Sequence, residues 1–173
     1  MNDKLSLGAA LAAASALVRV EARPDRARLA LKVFEVTFDT SPREDIGAFI
    51  GAGITQVGDL AFLAVDPADK HGWFETLAED LVAYRLFPVM SDGCGNLHAV
   101  YIDDPVGGPV YFFEAIEGYS RSAQVSASSI PRLVVAAANA SVDDEFWSSP
   151  AKVLAVDPFL RAERGACLPW QAD

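Results

Sequence analysis

The hydrophobic residues in the middle of the chain fall into short runs that glycine-rich turns separate. Three of them, "RLFPVMS", "NLHAVYID" and "PVYFFE", are divided by "DGCG" and "DPVGG". Glycine clusters of this kind close hairpins because glycine reaches positive φ angles at little steric cost. In the second run Leu97 and Ala99 alternate with His98 and Val100, so both faces are largely apolar. The pattern predicts an antiparallel meander with this second strand inside the sheet.

Two segments on either side of these runs have the periodicity of amphipathic helices. In "SSIPRLVVAAAN" one apolar stripe is formed by Ile130, Leu133, Val134, Ala137 and Ala138. Ser128 or Ser129 would cap this helix, and Pro131 would lie in its first turn. Before the first strand, a second stripe is formed by Trp73, Leu77, Leu81 and Tyr84. Both segments therefore predict helices with one face on the core.

The start of the chain is apolar and rich in alanine. Residues 5–18, "LSLGAALAAASALV", have the length of a signal-peptide core, but the leader "MNDK" carries no net positive charge from its side chains. We therefore interpret residues 5–20 as a helix packed on the core, with a cleaved signal as the alternative. The sequence has no run of about twenty apolar residues, so we expect no membrane span.

Residues 29–38, "LALKVFEVTF", give an ambiguous signal. Their β-branched and aromatic content favours a strand, although Leu29, Val33 and Val36 also fit one face of a helix. Three shorter segments complete the pattern: a helix that starts at Ser41-Pro42 and ends at Gly51 and Gly53, a buried strand at 60–65, and a helix from Ser149-Pro150 to Asp157-Pro158. We therefore expect one α+β domain over residues 1–173, with a central antiparallel sheet flanked by helices from both ends of the chain.

Charge narrows the classes of partner. The chain has 24 acidic and 14 basic residues and a net charge of −10. Such a surface repels nucleic acid and anionic membranes, so neither is an expected partner. It attracts a basic protein, although moderate acidity also serves solubility alone. With only Cys94 and Cys167, the chain has no disulfide framework and no metal-type cysteine spacing, and we expect a reduced protein of the cytoplasm.

The segment "SDGCGNLHAVYIDDP" combines chemically active residue types. Cys94 would need a base held close to it to act as a thiolate nucleophile, and the alternative is a small turn residue beside an ordinary strand histidine, His98. Asp92, Asp103 and Asp104 would bind a metal with His98 only if both ends of the hairpin converge, and otherwise they form turns. No nucleophile elbow, zinc-protease or P-loop motif is present. We therefore expect no enzyme, metal or cofactor.

One ordered motif covers the hairpin region: a strand into D-G-x-G-N, a second strand, a loop with glycine, and then P-V-Y with two aromatics and an acid. The residues of this motif are Asp92, Gly93, Gly95, Asn96, Pro109, Val110, Tyr111, Phe112, Phe113 and Glu114. The motif resembles the SUKH superfamily, which is named in part for a fungal regulator of cell-wall synthesis. The resemblance is strongest over residues 84–140.

The resemblance implies an α+β fold without catalytic residues. Bacterial members of the family are immunity proteins that bind and neutralise toxins, often nucleases, so the implied partner is a cognate toxin domain. An acidic domain suits a basic nuclease, because carboxylates steer association and a few desolvated aromatics supply binding energy. The alternatives are a regulatory scaffold for endogenous proteins and, third, a small-ligand or Cys94-dependent enzyme.

The glycine-rich turns and the aromatic strand are the candidate contact surfaces for a protein partner. Glycine turns let a partner's backbone approach closely, and one aromatic row would be exposed if helices did not cover both faces of the sheet. The candidate contact residues are Asp92, Gly93, Gly95, Asn96, Asp103, Asp104, Tyr111, Phe113 and Glu114.

Overall fold

The computed structural model describes residues 5–65, 79–92 and 94–171, and it is built around a seven-stranded antiparallel sheet. The strands lie side by side in chain order, as a meander. They are β1 Val20–Ala22, β2 Ile54–Val57, β3 Leu60–Phe62, β4 Leu86–Ser91, β5 Leu97–Tyr101, β6 Val110–Phe113 and β7 Gln124–Ala127. The three runs predicted as hairpin strands form β4, β5 and β6, so the predicted meander is confirmed.

Strand β5 lies inside the sheet, as its two apolar faces predict. Its Ala99 is opposite Pro88 of β4 on one side and Tyr111 of β6 on the other. Leu97 and Val100 are buried, and so are the β4 residues 86–90. Neighbouring strands pair with the backbone along both edges of β5, and the burial of its side chains shows that both of its faces are covered. Apolar side chains on both faces are typical of such a strand.

Helices from both ends of the chain flank the sheet. They are α1 Leu7–Ser15, α2 Ala27–Phe38, α3 Glu44–Ala52, α4 at 79–84 within the described residues, α5 Ile130–Ala140 and α6 Pro150–Val156. Helix α1 packs against α5, α5 contacts β7 and β2, and α2 packs against α3. Trp73 and Leu77 of the predicted helix before β4 lie outside the described residues. No helix in the described ranges has the length and apolar character needed to cross a membrane.

Residues 29–38 form most of helix α2, so the strand favoured by their composition is wrong. Phe34 and Phe38 are one turn apart and both are buried. The ring of Phe34 lies 4.8 Å from that of Phe38 and 5.5 Å from that of Phe87 on β4, measured between centroids. This aromatic stripe at helical spacing outweighs the β-branched content of the segment, because burial of large rings contributes more than intrinsic propensity.

Helix α5 has the predicted apolar stripe, and all five of its residues are buried. Its start is held by Ser128, whose backbone N–H and hydroxyl both donate to the buried Asp157, at 2.6 Å each. Asp157 lies directly after α6, which begins at Pro150 as the sequence predicts. The carboxylate therefore ties the start of α5 to the end of α6, and it satisfies groups that would otherwise be buried without partners.

Helix α3 begins at Glu44, two residues after the start predicted from Ser41-Pro42. Gly51 lies within the helix, whereas Gly53 ends it with a left-handed φ of 66°. The prediction that both glycines stop the helix is therefore correct only for the second. A left-handed residue after the last turn is the usual end of a helix, and glycine adopts it without a Cβ penalty.

The two glycines of α3 make a matched pair for mutagenesis. A Cβ at Gly53 would lie 2.6 Å from backbone atoms of Arg23 and Pro24, while a Cβ at Gly51 would meet nothing within 4 Å. We expect Gly53→Ala to lower the free energy of unfolding by about 2–4 kcal/mol. Gly51→Ala should raise it by about 0.5–1 kcal/mol, because alanine is the better helix former. Urea denaturation checks both values, and equal effects of the two substitutions would contradict this account.

Candidate functional site

The antiparallel sheet divides the candidate contact residues between the two ends of β5. Asp92 and Asn96 lie in the β4–β5 turn, and Asp103 and Asp104 lie in the β5–β6 loop. Five residues of strand separate these ends by roughly 16 Å, at about 3.3 Å per residue. The four-residue metal set considered from the sequence is therefore not assembled by the fold. The part of the chain that the structure describes also has no other group of three metal-ligating side chains.

One end of β5 carries what we call the hairpin cluster, defined as Asp92, residues 94–96 and residues 114–119. Asp92 accepts hydrogen bonds from the backbone N–H of Cys94 at 2.8 Å and from the side-chain amide of Asn96 at 2.7 Å. The amide oxygen of Asn96 accepts from the N–H of Ala115 at 2.9 Å. Tyr119 donates its hydroxyl to the carbonyl of Gly95 at 3.0 Å. These bonds fix the turn and residues 114–119 as one unit.

These contacts explain why the first part of the sequence motif, D-G-x-G-N, has these residue types. Asp92 and Asn96 shape the turn. Gly95 has a φ of +92°, a backbone conformation that residues with a side chain rarely adopt. Gly93 lies outside the described residues. The sequence could show that an aspartate and an asparagine form a turn here, but it gave no sign that Asn96 binds a backbone group nineteen positions later.

The other end of β5 carries the loop cluster, defined as residues 103–108 with Arg43, Asp45, Arg85 and Arg164. The buried guanidinium of Arg43 donates to the carbonyls of Tyr101 and Asp104, at 2.9 and 2.8 Å, and pairs with Asp45 at 2.8 Å. Asp45 in turn accepts from the N–H of Gly107 at 2.9 Å. The start of α3 therefore holds the β5–β6 loop in place.

The acids of the loop cluster are paired with cations. Arg85 donates two hydrogen bonds to Asp103, at 3.0 and 2.8 Å, and this contact lowers the pKa of that carboxyl. Arg164 pairs with Asp104 and also lies over the ring of Tyr101, 4.6 Å from its centroid. Both sequence-predicted contact residues of this loop are thus engaged within the chain, which leaves little free negative charge for a partner.

Tyr111 and Phe113 are not surface residues. Both are fully buried, and their rings pack against Tyr101 at 5.3 and 6.2 Å between centroids. Burial, with a further effect from the charge of Asp104, raises the pKa of the Tyr111 hydroxyl to about 12. The C-terminal segment also covers this part of the sheet, where the backbone of Cys167 forms an isolated parallel β-bridge with that of Gln124 in β7. These two residues are therefore corrected to core positions, and neither is available to a partner.

His98 and Cys94 have different environments. Cys94 is exposed in the turn, whereas His98 is buried with its Nδ1 2.7 Å from the hydroxyl of Ser126. The imidazole also packs on Phe112 and stacks on Trp147, with centroids 5.0 and 6.4 Å apart. Burial lowers the pKa of His98 to about 4, against an opposing effect of the Asp92 charge. This is the environment of a neutral core histidine.

The hairpin cluster also presents a residue that the sequence analysis did not single out. Ile116 has 90% of its surface exposed, and it lies in a short helical turn between Glu114 and Glu117. Asp80 of α4 belongs to the same region, because its charge raises the pKa of Tyr119 after the larger effect of burial. Within the described residues none of these three acids has an ion-pair partner. The exposed Ile116 therefore lies between two acids, Glu114 and Glu117, that have no ion-pair partner in the described part of the chain.

An open cavity of about 980 Å³ lies at the other end of the molecule, between the β5–β6 loop, the first turns of α1 and α5, and residues 158–164. Three arginines line it. Arg132 donates to the carbonyl of Val156 at 2.6 Å, Arg161 pairs with Glu163 at 2.6 Å, and Arg164 pairs with Asp104. Arg161 and Arg164 are thus paired with acids of the chain, whereas the bond of Arg132 to a neutral carbonyl leaves its positive charge uncompensated by that contact.

Comparisons of the chain with protein-family models, curated proteins and solved structures found no match. The resemblance to the SUKH superfamily therefore stays a prediction, carried by the motif residues named above. The hairpin cluster is the candidate binding site that the geometry itself defines, with its exposed isoleucine beside acids that no described residue pairs.

The buried His98 gives a pH prediction. Its pKa is about 4 in the folded chain and 6.5 when unperturbed, so the unfolded chain binds the proton first as the pH falls. Stability should therefore be lost progressively from pH 6.5 down to pH 4, by about 3 kcal/mol in total. In His98→Gln this contribution is absent. The difference in unfolding free energy between the two proteins, measured by urea denaturation from pH 4 to 8, should shrink over that window and stay constant above it. A flat difference throughout would mean that His98 is not held neutral.

Proposed function

We propose that this chain is a non-enzymatic, cytoplasmic protein-binding domain that acts as an immunity protein. In this role it binds and neutralises a toxin, with a basic nuclease domain as the expected kind of toxin. The motif resemblance suggests the role. The observation that supports a binding surface is the exposed Ile116 beside Glu114 and Glu117, which have no ion-pair partner among the residues that the structure describes. A regulatory scaffold for endogenous partners is the alternative.

The geometry of Ile116 favours a protein as the ligand. Ile116 has 90% of its surface in water, and burial against a partner would remove that apolar area from water. The side chain projects from a short turn rather than lining a concavity, so it suits insertion into a pocket on a partner. A small molecule would find no enclosing walls at such a position.

Charge decides between the two ends of β5. At the loop cluster Asp45, Asp103 and Asp104 are each paired with an arginine, so their fields are largely cancelled at a distance. At the hairpin cluster Glu114 and Glu117 have no cation paired with them among the described residues. The hairpin end therefore supplies the field that steers a basic protein toward the chain.

The hydrogen bonds of the hairpin cluster support the same function. Asn96 and Tyr119 connect the turn to residues 114–119, so the segment that displays Ile116 is held before any partner arrives. A preorganised contact segment loses less conformational entropy on binding than a free loop. The turn residues Asp92, Gly95 and Asn96 thus act on the partner indirectly, through the position of Ile116.

The test begins with affinity capture by the purified chain at 50 and 300 mM salt. We expect one basic protein whose capture weakens at the higher salt, because exposed charge pairs are screened. Its affinity is then measured for the double variant Ile116→Arg/Glu117→Lys, which we expect to bind about 30-fold or more weakly, as for loss of a central contact. Cells that express the captured protein should stop growing, and co-expression of the wild-type chain should restore growth.

The matched control is Val142→Arg/Asp144→Lys. It changes the net charge by the same amount, and both of its residues are exposed and lie outside the hairpin cluster. We expect its affinity to stay within about threefold of wild type, since an acid outside the contact acts only through the long-range field. Equal loss in both double variants would refute the hairpin cluster as the binding site. A captured partner that is harmless to cells would replace the immunity role with the scaffold role.

A further inference from the structure

Helix α2 has a second apolar surface, on the side away from its buried phenylalanines. Val36 is 84% exposed and Leu29 is 47% exposed, with the partly buried Val33 between them. At 100° per residue these three side chains lie within roughly 60° of one another around the helix axis. Among the described residues, no element therefore covers this second face of α2.

A row of charges runs beside this stripe. Arg28, Lys32 and Glu35 are exposed and fall within roughly 60° around the helix, and Asp39 is the exposed left-handed residue that directly follows its last turn. Neither Arg28 nor Lys32 has an ion-pair partner among the described residues. Read along the helix, the signs are plus, plus, minus, minus.

This order is self-complementary when the helix is reversed. The midpoint between positions 28 and 39 is 33.5, and the midpoint between positions 32 and 35 is also 33.5. A two-fold axis through that point, perpendicular to the helix, would set Arg28 opposite Asp39 of a second copy and Lys32 opposite its Glu35. The same operation sets the stripes of Leu29, Val33 and Val36 side by side, offset by two positions along the helix, because the midpoint between Leu29 and Val36 is 32.5. An isologous contact requires this kind of symmetry.

We propose that two copies of this chain associate through antiparallel α2 helices, with the Leu29–Val33–Val36 stripe at the centre and the two charge pairs beside it. The contact is one helix of twelve residues per copy, below the area of most permanent interfaces. The dimer is therefore weak, with a Kd on the order of 10–100 µM. This proposal is independent of the toxin-binding function, because it uses a different surface.

Sedimentation velocity from 5 to 500 µM tests the proposal, with circular dichroism and thermal melting to show that each variant folds. We expect wild type to pass from monomer to dimer over this range. Lys32→Glu and Glu35→Lys should each weaken the dimer at least tenfold, because each creates like-charge contacts across the axis. The combined Lys32→Glu/Glu35→Lys exchange restores opposite charges and should return the Kd to within about threefold of wild type.

The two single substitutions change the net charge in opposite directions, so general repulsion between acidic chains cannot weaken both. Val36→Lys should abolish the dimer, whereas Val142→Lys, at a position that is 60% exposed, should leave it unchanged. A chain that stays monomeric at 500 µM would overturn the proposal. So would a dimer that Val36→Lys leaves intact, or a charge exchange that fails to restore association in a variant that folds normally.

Discussion

The fold depends on one constraint, which is that the middle strands of the sheet are apolar on both faces. Leu97, Ala99 and Val100 of β5 are all buried, as are Phe87 and Val89 of β4. Such strands are stable only if other elements cover both faces, because exposure would place a large apolar area in water. The helices that supply this cover come from both ends of the chain, so neither end is dispensable to the core. Even the segment near Cys167 bonds to β7 through the N–H of Val125, at 2.9 Å.

Because both faces of the sheet are covered, the parts of the sheet that a binding partner can reach are the turns and loops at the ends of the strands. In a meander, consecutive turns lie alternately at opposite ends, so the β4–β5 turn and the β5–β6 loop are held apart. The sequence places their polar residues within one fifteen-residue segment, which makes them look like a single cluster. The two ends then differ in chemistry. Arg43 before α3, Arg85 before β4 and Arg164 of the C-terminal segment pair with the acids of the loop cluster, whereas Glu114 and Glu117 of the hairpin cluster have no ion-pair partner among the described residues.

Patterns within short stretches of sequence predicted those elements whose formation depends mainly on neighbouring residues. The hairpins followed from glycine-rich turns between apolar runs, and α5 followed from its stripe of five apolar residues. Helix α2 stayed an alternative to a strand because β-branched composition and helical spacing conflicted within ten residues, and the structure packs its Phe34 against Phe87 of a distant strand. The arginine contacts of the loop cluster join positions some sixty residues apart, so no local pattern indicates them. For Tyr111 the sequence left two cases, a sheet covered by helices on both faces or an exposed aromatic row, and its burial corresponds to the first.

The two proposed surfaces are compatible within one molecule because they lie at different parts of the sheet. Arg85 donates to the carbonyl of Phe38 at 3.2 Å, which places the end of α2 beside the loop cluster, at the opposite end of β5 from Ile116. An antiparallel pair of α2 helices would therefore leave both hairpin clusters exposed. Two linked binding sites raise the avidity for a partner that is itself paired or clustered, without any new contact. A single-domain binder with a small contact surface gains most from such an arrangement, since a weak contact at each site is enough when both engage together.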